Sequence, residues 1–241
     1  MTSIETILAF DLYGTLLSTE SIAQQLGELF DREKGNSIAL LWRRYQLEYT
    51  WRLNSMGEYD SFYNVTRNSL RHALAEHKLS LNDTDIANLM EEYDSLSSFP
   101  DVAPALTRLS KLPNLRPVIF SNGTEKMITK SAQSSNRLEA YTQVFSDIIS
   151  VEKTEKFKPN PETYRYLAER MGKDSKCQMR EMWLISGNPF DVLGAMNVGM
   201  KAAWVDRAGL GWIDSMFPGT SPTVVCRDLI EVIDIIEKST N

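Results

Sequence analysis

Hydrophobic positions along the chain change period twice, which divides it into a strand, a helical stretch and a long alternating region. Ile7 to Phe10 is an unbroken apolar run, the pattern of a strand buried on both faces of a parallel sheet. The run stops at Asp11, and a turn containing Gly14 follows. From Ser18 to Ser98 the spacing becomes helical, with no strand-like run in between. It predicts helices over 21–30, 37–56, 60–78 and 83–96, the last two capped by Asp60 and by Asn82 or Asp83. Beyond Asp101 strands and helices alternate. Strands are predicted over 117–120, 147–151, 183–186, 202–205 and 223–226, and helices over 125–133, 161–171, 189–198 and 228–237. Such alternation builds a doubly wound parallel sheet. The expected fold is therefore α/β, a core of residues 1–17 and 99–241 with a helical cap domain, 18–98, inserted after the first strand.

Composition narrows the function classes. The 241 residues are 42% hydrophobic and 24% charged, ordinary values for a globular protein. A net charge of -6 argues against nucleic acid or an anionic membrane as partner, because both require a basic surface. Cys177 and Cys226 are far apart and in no metal-binding spacing, so neither a disulfide framework nor a zinc site is expected. Met1 to Glu5 lead straight into the first strand without a basic, apolar leader. No segment approaches the roughly 18 apolar residues of a membrane span, and a cytoplasmic protein is expected. The assembly, monomer or homodimer, stays open at this level.

Four stretches carry chemistry-bearing side chains next to predicted turns. Asp11 ends the first strand, at the sheet edge where open α/β folds bind ligands, although an isolated Asp there also serves as a turn former. Ser121-Asn122-Gly123 precedes a helix, so free N–H groups and the helix dipole offer an anion site; the same residues also make an everyday cap. Lys158 is followed by Pro159, and its bland reading is a surface lysine; Lys156 is its only near competitor and lacks the proline. A lysine about 4 Å from a carboxylate is worth roughly 4 kcal/mol at an effective dielectric of about 20, enough to keep that carboxylate ionised. Ser186-Gly187-Asn188-Pro189-Phe190-Asp191 follows a strand and opens a helix. In the cap, Arg43 shares a helical face with Leu47 and Trp51, which turns it toward apolar neighbours or lets it snorkel over them.

Phe10-Asp11-Leu12-Tyr13-Gly14-Thr15-Leu16 resembles the first motif of the haloacid dehalogenase superfamily, in its L-2-haloacid dehalogenase (type II) branch. The superfamily's phosphatases carry a second Asp two residues after the nucleophile; here that position is Tyr13. A phenol of pKa about 10 is a poor proton donor at neutral pH, whereas a departing halide needs no proton. Phosphatases also read Gly-Asp-x-x-x-Asp in the fourth motif and hold Mg²⁺ there, and Gly187 replaces the first of those acids while Asp191 remains. The resemblance extends over Leu41 to Trp51 and over Lys158-Pro159 with Tyr164.

It implies a metal-free, cofactor-free hydrolase that converts small (S)-2-haloacids to (R)-2-hydroxyacids through an ester on Asp11. It further implies that Ser186, Asn188 and Asp191 handle the hydrolytic water, that Lys158 supports the nucleophile, and that Arg43 and Asn122 receive the halide. Ser121 would take the substrate carboxylate, and Leu12, Tyr13, Phe62, Tyr164 and Phe190 would complete the substrate site. Family members often carry Trp at the position of Phe190 and Ser at that of Gly187. The alternatives are a phosphatase of the same fold, another hydrolase with the same ester chemistry, and a non-catalytic binding protein.

Overall fold

The structure, a computed structural model, describes residues 5–135 and 138–240. Met1 to Ile4, most of the stretch read as lacking a leader, lie outside the described residues. Six strands, β1 Thr6–Phe10, β2 Leu115–Ser121, β3 Asp147–Ser150, β4 Met182–Ser186, β5 Lys201–Val205 and β6 Val224–Cys226, form one sheet. Its order is β3-β2-β1-β4-β5-β6, and every pairing is parallel. Each predicted strand is present; β2 starts earlier than its apolar run because Leu115 and Arg116 already pair with Thr6 and Ile7. Every residue of β1 and β4 is buried, as continuous apolar runs require when helices cover both faces.

The strand order reverses direction beside β1. In open sheets the crevice at such a switch point, outside the carboxyl ends, is the ligand site. Phe10 pairs with Ile119 on one side and Ile185 on the other, so the residues following β1, β2 and β4 emerge next to one another.

Four α-helices lie within residues 18–98, after β1: α1 Ala23–Leu29, α2 Arg32–Met56, α3 Phe62–Glu76 and α4 Asp83–Tyr93. The ends of this insertion are tied together, Ser18 N–H donating to Ser97 O at 2.8 Å and Phe99 N–H to Leu16 O at 3.1 Å. Helix α2 begins at Arg32, five residues before the expected start, because Asp31 caps it by accepting from Lys34 N–H at 2.8 Å. The expected helix over 21–30 is a 3₁₀ turn, Thr19–Ile22, leading into α1. Ser61, not Asp60, caps α3; Asp60 braces that cap by accepting from Ser61 N–H and Asn64 Nδ2. Asn82 caps α4, which ends at Tyr93 rather than Leu96.

The remaining helices are α5 Val102–Leu109, α6 Glu125–Ser134, α7 Pro161–Arg170, the single turn α8 Lys176–Met179, α9 Pro189–Asn197 and α10 Leu229–Thr240. One contiguous apolar cluster joins Trp42, Phe62 and Tyr93 of the insertion to Phe10, Tyr13 and Ile185 of the sheet. No helix among the described residues is long and apolar enough to cross a membrane.

Candidate active site

The turn after β1 is wound tightly around Leu12, whose carbonyl accepts from the N–H groups of Thr15, Leu16 and Leu17. Gly14 takes φ +86°, a value that side chains rarely tolerate, and its N–H donates to Leu17 O at 2.7 Å. This winding holds Asp11, 6% exposed, at the sheet edge and leaves the N–H groups of Leu12 and Tyr13 without an acceptor among the described residues. The Leu12 side chain is buried in the core, so its contribution to the site is its main chain.

Both oxygens of Asp11 are held. Oδ2 accepts from Thr15 Oγ1 and from Asn188 Nδ2, each at 2.7 Å, and Oδ1 accepts from Lys158 Nζ at 3.1 Å. Lys158 is only 1% exposed, and its ammonium also donates to Asp191 Oδ2 at 2.9 Å and Phe120 O at 2.7 Å. It therefore bridges the two carboxylates and uses three donors on three acceptors. The Lys158-Pro159 peptide is cis, and Lys158 N–H donates to Asn122 Oδ1 at 2.9 Å, which ties this loop to the end of β2. Lys156 is half-buried on the same loop and takes no part in this cluster.

Asp191 lies wholly buried on the first turn of α9. Tyr164, on α7, donates to its Oδ1 at 2.7 Å. Burial pushes the Asp191 carboxyl above the ordinary value; Lys158 pulls it down, and the Asp11 charge pushes it up again. The Tyr164 phenol is raised well above its usual range by burial and by the neighbouring Asp191 charge. Ser186, fully buried at the end of β4, accepts from Asn188 N–H at 3.1 Å, and Ser121, equally buried at the end of β2, accepts from Gly123 N–H at 3.2 Å. Asn122, 8% exposed, keeps its amide N–H₂ as a donor, since its oxygen is taken by Lys158.

The helical insertion supplies the roof. Arg43 donates through Nη2 to Tyr13 O and to Asn188 Oδ1, both at 3.1 Å, so this cation from α2 ends beside the neighbours of Asp11. Phe62 is buried and stacks on Tyr13 with ring centroids 5.8 Å apart. The Tyr13 hydroxyl lies 3.3 Å from Ser131 Oγ, and burial raises its pKa above the phenol range, so it is no acid at neutral pH. Phe190 faces Trp51 edge-on at 5.5 Å and lines an outer groove of about 490 Å³ with Pro159, Leu193, Met216 and Phe217.

Thus Asp11, Tyr13, Arg43, Ser186, Asn188, Lys158, Asp191 and Tyr164 form one bonded cluster, Ser121 and Asn122 border it, and Phe190 sits on the side toward the outer groove. Sequence reasoning passed over Thr15, which donates to Asp11 and accepts from Gly187 N–H at 2.9 Å. The signal was available in its position four residues after Asp11, inside the same turn. Gly187 packs on that turn so closely that a Cβ there would fall 2.5 Å from Gly14 O. The position at which a phosphatase carries its first metal acid therefore has no room for a side chain in this arrangement.

A parallel sheet with a carboxylate at its switch point, a buried lysine joining it to a second carboxylate, and a helical roof defines a doubly wound α/β protein with a carboxylate-centred site under an inserted cap. The family model described as "Hydrolase: haloacid dehalogenase-like hydrolase" matches residues 6–199, and the chain belongs to that family. It is 36% identical to the (S)-2-haloacid dehalogenase of Pseudomonas fluorescens over 92% of each chain. It is 35% identical to haloacetate dehalogenase H-2 of Moraxella sp. (strain B), over 88% of this chain and 90% of that one. The solved L-2-haloacid dehalogenase of Xanthobacter autotrophicus with chloropropionic acid covalently bound superimposes with a TM-score of 0.83 at 28% identity, covering 97% of this chain and 98% of that chain.

Proposed function

We propose that this chain is a hydrolytic dehalogenase of small (S)-2-haloacids and that Asp11 is its nucleophile. The observation that carries the reading is the pairing of a doubly held Asp11 carboxylate with a second cation, Arg43, brought from the insertion to within 3.1 Å of Tyr13 O and Asn188. One buried cation, Lys158, bonds the attacking carboxylate, and the other stands where negative charge grows on a leaving group.

In the first half-reaction an Asp11 oxygen attacks C2 from the rear, the carbon–halogen bond breaks, and its electron pair leaves with the halide. C2 inverts and an aspartyl ester forms. Arg43 and the Asn122 amide receive the halide. Ser121 and the unpartnered N–H groups of Leu12 and Tyr13 hold the substrate carboxylate. In the second half-reaction water attacks the carboxyl carbon of Asp11 and gives its proton to Asp191; Ser186 and Asn188 orient it, and Lys158 stabilises the developing oxyanion. Loss of the (R)-2-hydroxyacid restores Asp11. Phe62 and Tyr13 form the apolar wall, Tyr164 steadies Asp191, and Phe190 limits the site toward the outer groove.

No metal enters this scheme. The cation between Asp11 and Asp191 is the protein's own Lys158, and Gly187 and Tyr13 stand where phosphatases carry acids. Residues 18–98 act as the cap, a reading supported by the paired chain ends at 16–18 and 97–99.

The test is a single turnover of 2-chloropropionate by excess enzyme in ¹⁸O-water containing EDTA, with each enantiomer separately and a phosphate ester alongside. The (S) substrate should release halide, give unlabelled hydroxyacid and leave one heavy oxygen in the peptide spanning Phe10 to Leu16. Label in the product would mean direct attack by water, and phosphate release restored by Mg²⁺ would favour the phosphatase reading.

A further inference from the structure

A wholly buried glutamine lies beside the cap arginine, and the direction of each of its hydrogen bonds can be deduced. Gln46 is 0% exposed on the inward face of α2. Its neighbour Thr66, on α3, spends its only hydroxyl proton on Phe62 O at 2.7 Å, so toward Gln46 it can only accept. The 2.7 Å contact to Thr66 Oγ1 must therefore come from Gln46 Nε2. The amide oxygen consequently points the other way, where Arg43 Nη1 donates to it at 2.8 Å. Tyr93 OH, 3.1 Å from both Gln46 Nε2 and Oε1, closes the amide on its remaining side. From Arg43 the series continues through Nη2 to Asn188 Oδ1, and through Asn188 Nδ2 to Asp11 Oδ2.

We infer that Gln46 is a positioning residue for the dehalogenation step: its amide oxygen fixes the Arg43 guanidinium against Tyr13 O and Asn188, the side chain that bonds Asp11. This rests on the proposed function for what Arg43 does. An arginine side chain has several rotatable bonds, and a cation can speed departure of an anion only if it is already in place. Gln46 supplies a neutral acceptor, so the guanidinium is held without its charge being cancelled. A carboxylate at this position would hold the arginine equally well and weaken its pull on the halide.

Three forms of the full-length enzyme separate these effects: wild type, Gln46→Met and Gln46→Glu. The first readout does not depend on turnover. In wild type, the ¹⁵N signals of the Arg43 guanidinium, assigned with Arg43→Lys, should show slow rotation; Gln46→Met should lose that signature and Gln46→Glu should retain it. The second readout is single-turnover halide release. It should fall about 10²-fold in Gln46→Met, the scale of a misplaced catalytic group, and also fall in Gln46→Glu, while hydrolysis of the preformed ester is unchanged in both. A merely structural role for Gln46 would slow both half-reactions together. Arg43 rotation equally slow in Gln46→Met and wild type would overturn the assignment, as would an unaltered halide-release rate in Gln46→Met. Absence of halide release from wild type would instead sink the dehalogenase reading, and the Arg43 signature would still decide whether Gln46 anchors it.

Discussion

Lys158 sets the charge balance of the site, since two buried carboxylates share one ammonium. Removing that ammonium while keeping the bulk, in Lys158→Met, leaves both acids buried without a cation, which costs about 3–5 kcal/mol at neutral pH. The pH dependence has a definite sign. Burial already holds Asp191 above the ordinary carboxyl value with Lys158 in place. Without Lys158 its folded pKa rises further above the unfolded one, so the fold gains from protonation and loses stability as pH rises through the folded value. The deficit in urea midpoint should be larger near pH 8 than near pH 5 (about one unit above an ordinary carboxyl). An equal deficit at both would show that the buried acids do not change protonation between the two pH values and would overturn the raised value. Tyr164→Phe acts on the same group from the other side. The lost hydrogen bond favoured the charged carboxylate, so the acid limb of ester hydrolysis should move up by about one pH unit if that bond is worth about 1.5 kcal/mol. That Asp11, Lys158 and Asp191 come together was legible because each sits in a short local motif. Gln46 was not, because its meaning lies in Thr66, a partner that the chain brings from elsewhere.

Among the elements, α2 departs furthest from its sequence reading, and the reason is a glycine. Helical spacing suggested a start at residue 37. In the structure Gly35 lies inside α2, where the helix crosses α1: a Cβ on it would come within 2.5 Å of Gly27 N and 2.7 Å of Ala23 O. Glycine is there because two helix backbones touch, and Asp31 supplies the cap upstream. Such close approach cannot be told from helix breaking by local pattern alone. Gly35→Ala, which improves helix propensity, should therefore destabilise the protein by about 1–3 kcal/mol through overpacking, read as a lower urea midpoint. Stabilisation would mean that the crossing yields and that α2 is held by propensity. Strands fared better. Apolar runs identified all six, most plainly in β1 and β4, whose burial on both faces leaves no polar alternation to obscure them.

Across the whole molecule, the site exists only when distant parts of the chain have met, since Asp11 bonds to side chains 147 and 177 positions away. The βα alternation announced a parallel sheet, but the pairing of β1 with both β2 and β4 comes from which buried faces fit together, a property of no single segment. The same holds for the insertion. Its helices read as a separate domain in the sequence; in the structure α2 packs on α1 and α3, and their apolar faces also join the cluster of the sheet through Trp42, Phe62, Tyr13 and Tyr93. The aromatic rings of Tyr13 and Tyr93, 5.5 Å apart, span the boundary directly. Apolar surface shared between two parts of a chain stabilises each only while the other stays folded. Cap and core should therefore unfold together. Trp42, buried in the cap, and Trp183, buried in β4, report on the two regions separately when each is left as the sole tryptophan. Their urea transitions should share a midpoint. If Trp42 is exposed at lower urea than Trp183, the cap has a weaker cooperativity of its own and can open while the sheet stays intact. The shared apolar cluster would then be a sliding contact, and Arg43 would leave the site with the cap each time it opened.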